Sequence, residues 1–414
     1  MDRNLRALSI GAAVRALGTS LLGPFLALYM HNVLLIGYAM VGLLLFLFGA
    51  VSVPFSMAGG LLTDLLGRRS VFLGTLIGEV AAFAVLGWSI SVGSLAGVVG
   101  SAFAGSIITS LGNPANSAYL ADLAEGHLRT EGFMWQRIGH NAGFAAGTAA
   151  GGLLISALGF ALVVYLGTAV LLASTTYLVL VLDPSAEDSR IRDARRTGAV
   201  MRRDRATHRG PGARLGAMAR DRTFLELTVG MSLIALVTGQ WTVVFPLFVN
   251  SLMHISYGWL GLGLSLNGVL VVVAQPWTTR MARGRRHTTF ALLGLLLYVV
   301  GFFLLAAADT WSLFPLEVFF GVVFLLTMGE NVEAVPYSTL PSNLAPLTER
   351  GAYNGAFSAV TGLGYLLATL WGTAGLSLFP NPLVLWTILM LPAVPGTLLI
   401  THAARTMAPA ADRA

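Results

Sequence analysis

The sequence predicts an all-α integral membrane protein with twelve transmembrane helices in two pseudo-symmetric six-helix bundles. Three observations predict it. First, long apolar runs fill a chain of 414 residues that is 56% hydrophobic and 11% charged, with a mean hydropathy of +0.76. Soluble domains carry about 25% charged residues, so only lipid can solvate this much apolar surface. Second, the basic residues fall on alternate turns. All 25 are arginine, and 24 lie on one side when the runs are read as spans, the bias expected of cytoplasmic loops. Third, the halves repeat. Asp122-Leu123-Ala124 leads to Arg129 and Gly143, and 221 residues later Asn343-Leu344-Ala345 leads to Arg350 and Gly364.

The spans follow in order. Run 6–30 opens the chain and contains Arg15, which interrupts it too early for a signal-peptide core. Run 37–62 ends at a glycine-rich turn with Arg68 and Arg69, and 71–91 returns outward. Runs 95–120 and 132–157 flank Arg129, and 160–182 closes the first half. Residues 183–222 hold eleven arginines against six acids, with Pro and Gly, and read as a basic cytoplasmic linker lying near anionic headgroups. Runs 223–249 and 258–279 precede Arg280, Arg283, Arg285 and Arg286; 288–308 and 311–338 follow. Runs 351–377 and 383–402 complete the set after Arg350. Outer turns carry one formal charge, Asp309, with His31 and His254 nearby. The expected domains are 1–182, 183–222 and 223–414, with both termini cytoplasmic in a multi-pass cell (inner) membrane protein. Continuous apolar runs exclude a barrel, whose strands alternate over ~10 residues.

Composition narrows the chemistry. With no cysteine there is no disulfide or thiolate site. The net charge of +6 reflects arginines facing anionic lipid and not nucleic-acid binding. No G-x-x-x-x-G-K-[ST] loop provides for ATP and no H-E-x-x-H for a metal. The expectation is a monomeric non-enzyme without cofactor or metal, driven by an ion gradient or by the substrate's own; one charge crossing 100 mV is worth about 2.3 kcal/mol.

The turn after the second run reads Gly60-Leu61-Leu62-Thr63-Asp64-Leu65-Leu66-Gly67-Arg68-Arg69. Its glycines suit a tight turn and close helix approach. Asp64 can pair with a cation of a neighbouring helix. The segment resembles the signature loop of the major facilitator superfamily, G-x-L-x-D-x-x-G-R-R/K, and Arg280 to Arg286 is a degraded echo of it. The fifth run carries Gly143, Gly147, Gly151 and Gly152, small residues that let helices pack backbone to backbone. It resembles the G-x-x-x-G-P-x-x-G-G motif of the drug/proton antiporter branch. Thr148 stands at the proline position, and Ser101, Ala102 and Phe103 occupy the region where that branch has an arginine. Gly329-Glu330, Pro336 and Arg350-Gly351-x-Tyr353 resemble a pattern in efflux members. The resemblance implies the major facilitator fold, working by alternating access, with Gly60, Asp64, Gly67, Arg68 and Arg69 as a gating element.

Charges inside a span cost roughly 2.5–3.5 kcal/mol each on insertion scales and need a reason. Arg15 and Glu79 lie at similar depth. Three readings are open: they pair inside the bundle, or Arg15 faces a cavity and takes an anionic or polar group, or Glu79 merely faces a polar seam. Glu330 and Glu333 share a face of the tenth helix. Glu330 sits about 7 Å beyond the span midpoint at ~1.5 Å per residue. Glu333 is expected nearer the headgroups. A buried carboxyl can load and release a proton as water access alternates, so Glu330, Glu79 and Glu333 are candidates for proton coupling, with His140 a further carrier or a hydrogen-bonding residue. Glu226, near a helix start, suits the dipole.

By resemblance, spans 1, 4, 7 and 10 line the cavity. The candidate substrate residues are then Arg15, Asn113, Asn116, Gln240, Trp241, Asn267, Tyr337 and Asn354, although Trp241 could anchor at the interface and Asn113 could serve a helix break at Pro114. Amides and aromatics in an apolar cleft suit a moderately hydrophobic solute. The expected function is proton-driven export of hydrophobic small molecules, drugs or metabolites. The alternatives are a proton-coupled or facilitative importer of a small polar nutrient and a non-transporting receptor.

Overall fold

The computed structural model describes residues 3–123, 127–182, 218–310, 314–346 and 349–413, with side chains described throughout except at 127–130, 309 and 310. Most of the expected linker 183–222, as well as the side chains of Arg129 and Asp309, therefore lies outside the described residues. Among those described, twelve helices are long and apolar enough to cross a membrane. They are α1 (Arg3–Val33), α2 (Tyr38–Leu66), α3 (Arg68–Ser91), α4 (Leu95–Leu123), α5 (Glu131–Leu158), α6 (Phe160–Val181), α7 (Arg222–Ser251), α8 (Tyr257–Ala282), α9 (His287–Ala308), α10 (Pro315–Leu344), α11 (Arg350–Leu378) and α12 (Pro382–Thr406). Helices satisfy their backbone groups internally, which lipid requires.

Several helices are broken where the sequence forces it. In α1 a 3₁₀ turn at Gly23–Phe25, containing Pro24, and a π-helical turn at Tyr29–Val33 interrupt the α geometry. Helix α7 has a matching 3₁₀ turn at Gly239–Trp241, ahead of Pro246. Proline removes a backbone donor and clashes with the preceding turn. In contrast, Pro114 in α4, and Pro336 and Pro341 in α10, are carried inside continuous helix. Helix α10 thus runs on to Leu344, six residues past the expected end at 338. This places Glu333 well inside the helix and not near its end.

The described residues form two compact units. One is drawn from Met1–Leu34, Leu47–His208 and Ser256–Ser265, the other from Leu35–Phe46, Arg209–Ile255 and Leu266–Ala414. The packing scheme of one recurs in the other. In the first unit α1 packs on α5 and α6, and α3 on α4 and α6; in the second α7 packs on α11 and α12, and α9 on α10 and α12. The first core joins Leu5, Leu8, Phe72, Leu76, Tyr119 and Leu178.

Small residues set the closest approaches. Gly143, Gly147 and Gly151 of α5 lie against the backbone of α1 at Ala13, Leu17 and Leu21, while Gly152 meets Tyr257 and Gly261 in the same unit. A Cβ at any of these positions would collide with backbone. Of the two glycines in the signature turn, Gly67 takes φ +94° between α2 and α3, a conformation that only glycine adopts freely. Gly60 differs from expectation: it faces open space, and the close approach to α4 is made by Gly59.

Candidate functional site

A cavity of about 880 Å³ opens within the first unit, walled by α1 to α5. Its two ends differ. Toward the end that carries Arg68 and Arg69, the lining is Arg15, Glu79, Thr109, Asn113, Asn116, Gln136, Arg137 and His140, with Phe133 among them. Toward the other end it is Leu22, Leu26, Phe48, Phe83 and Leu86, with Ser101 and Ala102. The helix directions produce this gradient. α1 and α3 run away from the arginine-bearing end, so Arg15 and Glu79 precede the leucines and Phe83. α4 runs back, so Ser101 precedes Asn113.

Arg15 and Glu79 pair across the cavity. Arg15 Nε donates to Glu79 Oε2 at 2.5 Å and Nη2 to Oε1 at 3.0 Å; Thr109 Oγ1 adds a bond to Oε1 at 3.3 Å. The Glu79 side chain keeps 5% of its exposure and Arg15 28%. A forked, charge-assisted contact of this kind resolves the cost of two intramembrane charges. It also leaves Arg15 on the cavity wall, so both roles open to it in the sequence are geometrically available. Beside it Gln136 Nε2 donates to Asn116 Oδ1 at 3.0 Å.

The sequence reasoning missed Gln136 and Arg137. Cavity walls were assigned to spans 1, 4, 7 and 10, whereas α5 supplies much of the polar end. The available signal was Phe133, Gln136, Arg137 and His140 at i, i+3, i+4 and i+7, one face of a helix. His140 lies on that wall, as a cavity residue.

Of the eight expected substrate residues, this cavity gathers Arg15, Asn113 and Asn116. The others belong to the second unit, and four of them, Gln240, Asn267, Tyr337 and Asn354, bond one helix to another. Gln240 is fully buried, its amide bonded to the carbonyls of Leu236 at 2.8 Å and Ala368 at 3.2 Å, so it ties α7 to α11 and lines no cleft. Trp241 packs on Phe245 with ring centroids 4.6 Å apart. Tyr337 shares a 2.6 Å hydrogen bond with Thr361, and Asn354 donates to Ser342 at 2.8 Å and to the Arg350 carbonyl at 2.8 Å. Asn267 donates to Thr327 Oγ1 and to Glu330 Oε2, both at 3.0 Å.

Glu333 departs from its expected place near the headgroups. It is 4% exposed, packed where Gly294 lets α9 approach α10, and its Oε1 has no hydrogen-bond partner among the described residues. Glu226 binds Arg222 at 2.8 Å and His402 at 2.6 Å.

In the signature turn Arg68 pairs with Asp122 and donates to the Ala118 carbonyl at 3.2 Å, and Arg69 donates to the Leu182 carbonyl at 3.2 Å. Asp64 is exposed at the end of α2. The carboxylate joined to the turn among the described residues is therefore Asp122, and the arginines staple α3 to α4 and to the end of α6.

Known proteins match along nearly the whole chain. The chain is 28% identical over 390 residues to the "Uncharacterized MFS-type transporter YttB" of Bacillus subtilis (strain 168), covering 90% of this chain and 88% of that one. Among solved structures, a POT family transporter in complex with 5-aminolevulinic acid superposes with a TM-score of 0.79 at 12% identity, over 99% of this chain and 97% of that one. A D-xylose–proton symporter superposes with a TM-score of 0.73 at 14% identity, over 100% and 99%. At such identity these structures speak for the fold. The family model of the Major Facilitator Superfamily matches residues 8–369, and the chain belongs to that superfamily.

Proposed function

We propose that this membrane transporter carries a small solute with a polar head, coupled to protons, through alternating exposure of the α1–α5 cavity. The observation that carries the reading is the Arg15–Glu79 pair on the wall of an 880 Å³ cavity. Protonation of Glu79 frees Arg15 to bind substrate, and loss of the proton restores the pair and releases it. Glu330, held by Asn267, is the second candidate carboxylate for the coupling proton. Glu333 and His140 stand beside the two as alternative proton sites. The chain works as a monomer in the cell membrane with both ends cytoplasmic, the arginines meeting anionic headgroups.

Uptake with a proton is the favoured direction. A cavity with one strongly polar end suits a polar-headed solute better than a purely hydrophobic drug, and a D-xylose–proton symporter and POT family transporters share the fold. Proton-driven export is the second reading, favoured by the row Gly143, Gly147 and Gly151 packed on α1. The test is proton movement in sealed vesicles containing a pH dye. Glu79→Gln and Arg15→Gln should abolish compound-triggered proton flux. The sign of that flux gives the direction, and flux that survives in Glu79→Gln sinks the coupling scheme.

A further inference from the structure

We propose that the α1–α5 cavity selects an uncharged amphipathic solute whose polar end is an amide-type edge, a hydrogen-bond donor beside an acceptor, held by Asn113, Asn116 and Gln136. Its apolar part lodges between Leu26, Phe83 and Leu86. The inference rests on the transport reading above and names the substrate class of the same site.

The charges of the lining are already engaged. Arg15 covers both Glu79 oxygens, and Thr109 adds a bond to one of them. Arg137 has an interaction partner of its own. An anion entering the cavity must therefore draw an arginine away from its partner, and a cation must displace Arg15 from a carboxylate that is 5% exposed. Either exchange leaves a charge without compensation, which is strongly destabilising away from water. An uncharged head disturbs neither arrangement.

The hydrogen-bonding capacity left on the wall belongs to amides. Asn113 and Asn116 lie three residues apart and share a face of α4, and Gln136 meets Asn116 from α5. Gln136 Nε2 donates to Asn116 Oδ1 at 3.0 Å, a bond that uses one donor and one acceptor. The pair keeps Gln136 Oε1 as an acceptor and further N–H groups on both residues as donors. Asn113 is exposed on the same wall and brings a C=O beside an NH₂. Such a wall matches a solute that offers a donor and an acceptor on adjacent atoms, as two amides do when they pair. A tertiary amide or a ketone supplies acceptors alone and leaves the wall's carbonyl oxygens without donors.

The opposite end of the cavity suits the rest of such a solute. From Ser101 to Asn113, α4 rises about 18 Å at ~1.5 Å per residue. Along that length the lining changes from Leu26, Phe83 and Leu86 to the amides. Phe48 and Phe103 lie with ring centroids 6.1 Å apart beside the apolar end. Burial of apolar surface there contributes in proportion to area, so a hydrocarbon or aryl tail adds affinity that a fully polar solute lacks. The volume falls in the range of drug-sized pockets, roughly 300–1,000 Å³.

The experiment uses the full chain in detergent and five probes of one shape: 3-phenylpropionamide, its N,N-dimethyl derivative, 3-phenylpropanol, 3-phenylpropionate and 3-phenylpropylamine. Affinities are measured by calorimetry on the wild type, Asn113→Ala and Gln136→Leu, each first shown to be monodisperse. The primary amide should bind at least ten-fold tighter than either ion and about five-fold tighter than the dimethyl amide and the alcohol. Each variant should weaken the primary amide about five-fold, the scale of a neutral hydrogen bond, and change the two ions less than two-fold. An ion, the alcohol or the dimethyl amide binding as tightly as the primary amide overturns the proposal, as does binding of none of the five. If Gln136→Leu fails to fold, Asn113→Ala at its exposed position and the ranking of the probes still decide it. Proteoliposomes with a pH dye, compared with Glu79→Gln proteoliposomes to remove passive permeation, separate the two readings. A primary amide that binds but moves no protons leaves the substrate class standing and removes the coupled-transport reading. Protein-dependent proton movement driven by an ion and not by the amide does the reverse.

Discussion

Arg15 and Glu79, 64 residues apart in sequence, meet in a two-point ion pair on the wall of the α1–α5 cavity. Removing one partner of such a pair is expected to cost more than removing both, because the remaining charge is left without compensation. Arg15→Ala should destabilise by about 2–4 kcal/mol, toward the lower part of the buried-pair range because Arg15 stays partly exposed. The double variant Arg15→Met with Glu79→Leu should recover most of this, since apolar replacements of similar size remove the desolvation cost. Thermal unfolding in detergent reads both. An Arg15→Ala protein as stable as the wild type would mean that the pair does not hold the bundle.

A second relationship joins distant parts of the second unit. Asp412 caps α9: Thr288 N and Oγ1 donate to its two carboxylate oxygens at 2.8 Å each, and His287 N donates to its backbone carbonyl at 2.7 Å. Arg286 lies 3.9 Å away, and Asn343 of α10 donates to the Ala411 carbonyl at 3.1 Å. Helix starts leave unsatisfied N–H groups, and a capping carboxylate contributes about 0.5–2 kcal/mol. Asp412→Ala should therefore lower stability by about 1–2 kcal/mol, while Asp412→Asn keeps an acceptor for the helix and loses less. An Asp412→Asn protein as unstable as Asp412→Ala would show that charge matters here and capping does not.

Much of this arrangement was legible in the sequence, and the reasons for the rest are specific. The twelve helices were readable because lipid demands long continuous apolar runs. Pairing of Arg15 with Glu79 was readable as one of several arrangements because both lie at one depth, on helices that start from the same side. Arg137 was not, because an arginine a few residues inside a helix looks like a loop charge until the facing helices are known. Glu333 was misplaced because its depth was counted from a span ending at 338, whereas α10 continues through Pro336 and Pro341 to Leu344. Gln240 was misread because depth along a helix says nothing about which way a side chain faces, and α11 happens to cover it. Gly59 and Gly60 are adjacent small residues, and only packing decides which of them meets α4.

The glycine row of α5 yields a graded prediction. At Gly143 a Cβ would collide with the backbone of Ala13, so trimming side chains cannot make room. Gly143→Ala should reduce folded yield sharply, and adding Ala13→Gly should not rescue it. At Gly78 the obstacle is the Ile108 side chain, 3.2 Å from the Cβ position, so Gly78→Ala should be mild and Ile108→Val should relieve it. Gly60 has nothing within 4 Å, and Gly60→Ala should be neutral or stabilise by up to about 1 kcal/mol through helix propensity. Yield and unfolding temperature of the purified variants test the order. Rescue of Gly143→Ala by a side-chain change would contradict the backbone contact.

The two carboxylates of α10 should behave differently from each other and from Glu79. Glu330 accepts from Asn267 at 3.0 Å, and a glutamine there offers the same acceptor, so Glu330→Gln should leave stability within about 0.5 kcal/mol of the wild type. Glu333 is buried with one oxygen unpartnered among the described residues. An unsatisfied buried group costs about 1–3 kcal/mol, so Glu333→Met should raise the unfolding temperature. Flux separates the sites further. If coupling resides at the Arg15 pair, Glu79→Gln abolishes compound-driven proton movement, Glu330→Gln reduces it less than ten-fold, and Glu333→Met leaves it intact. Complete loss in Glu330→Gln with flux retained in Glu79→Gln would move the coupling proton to the second unit and make Asn267 its positioning residue. Asn267→Ala would then change the pH profile of transport, an effect that loss of a packing contact alone does not produce.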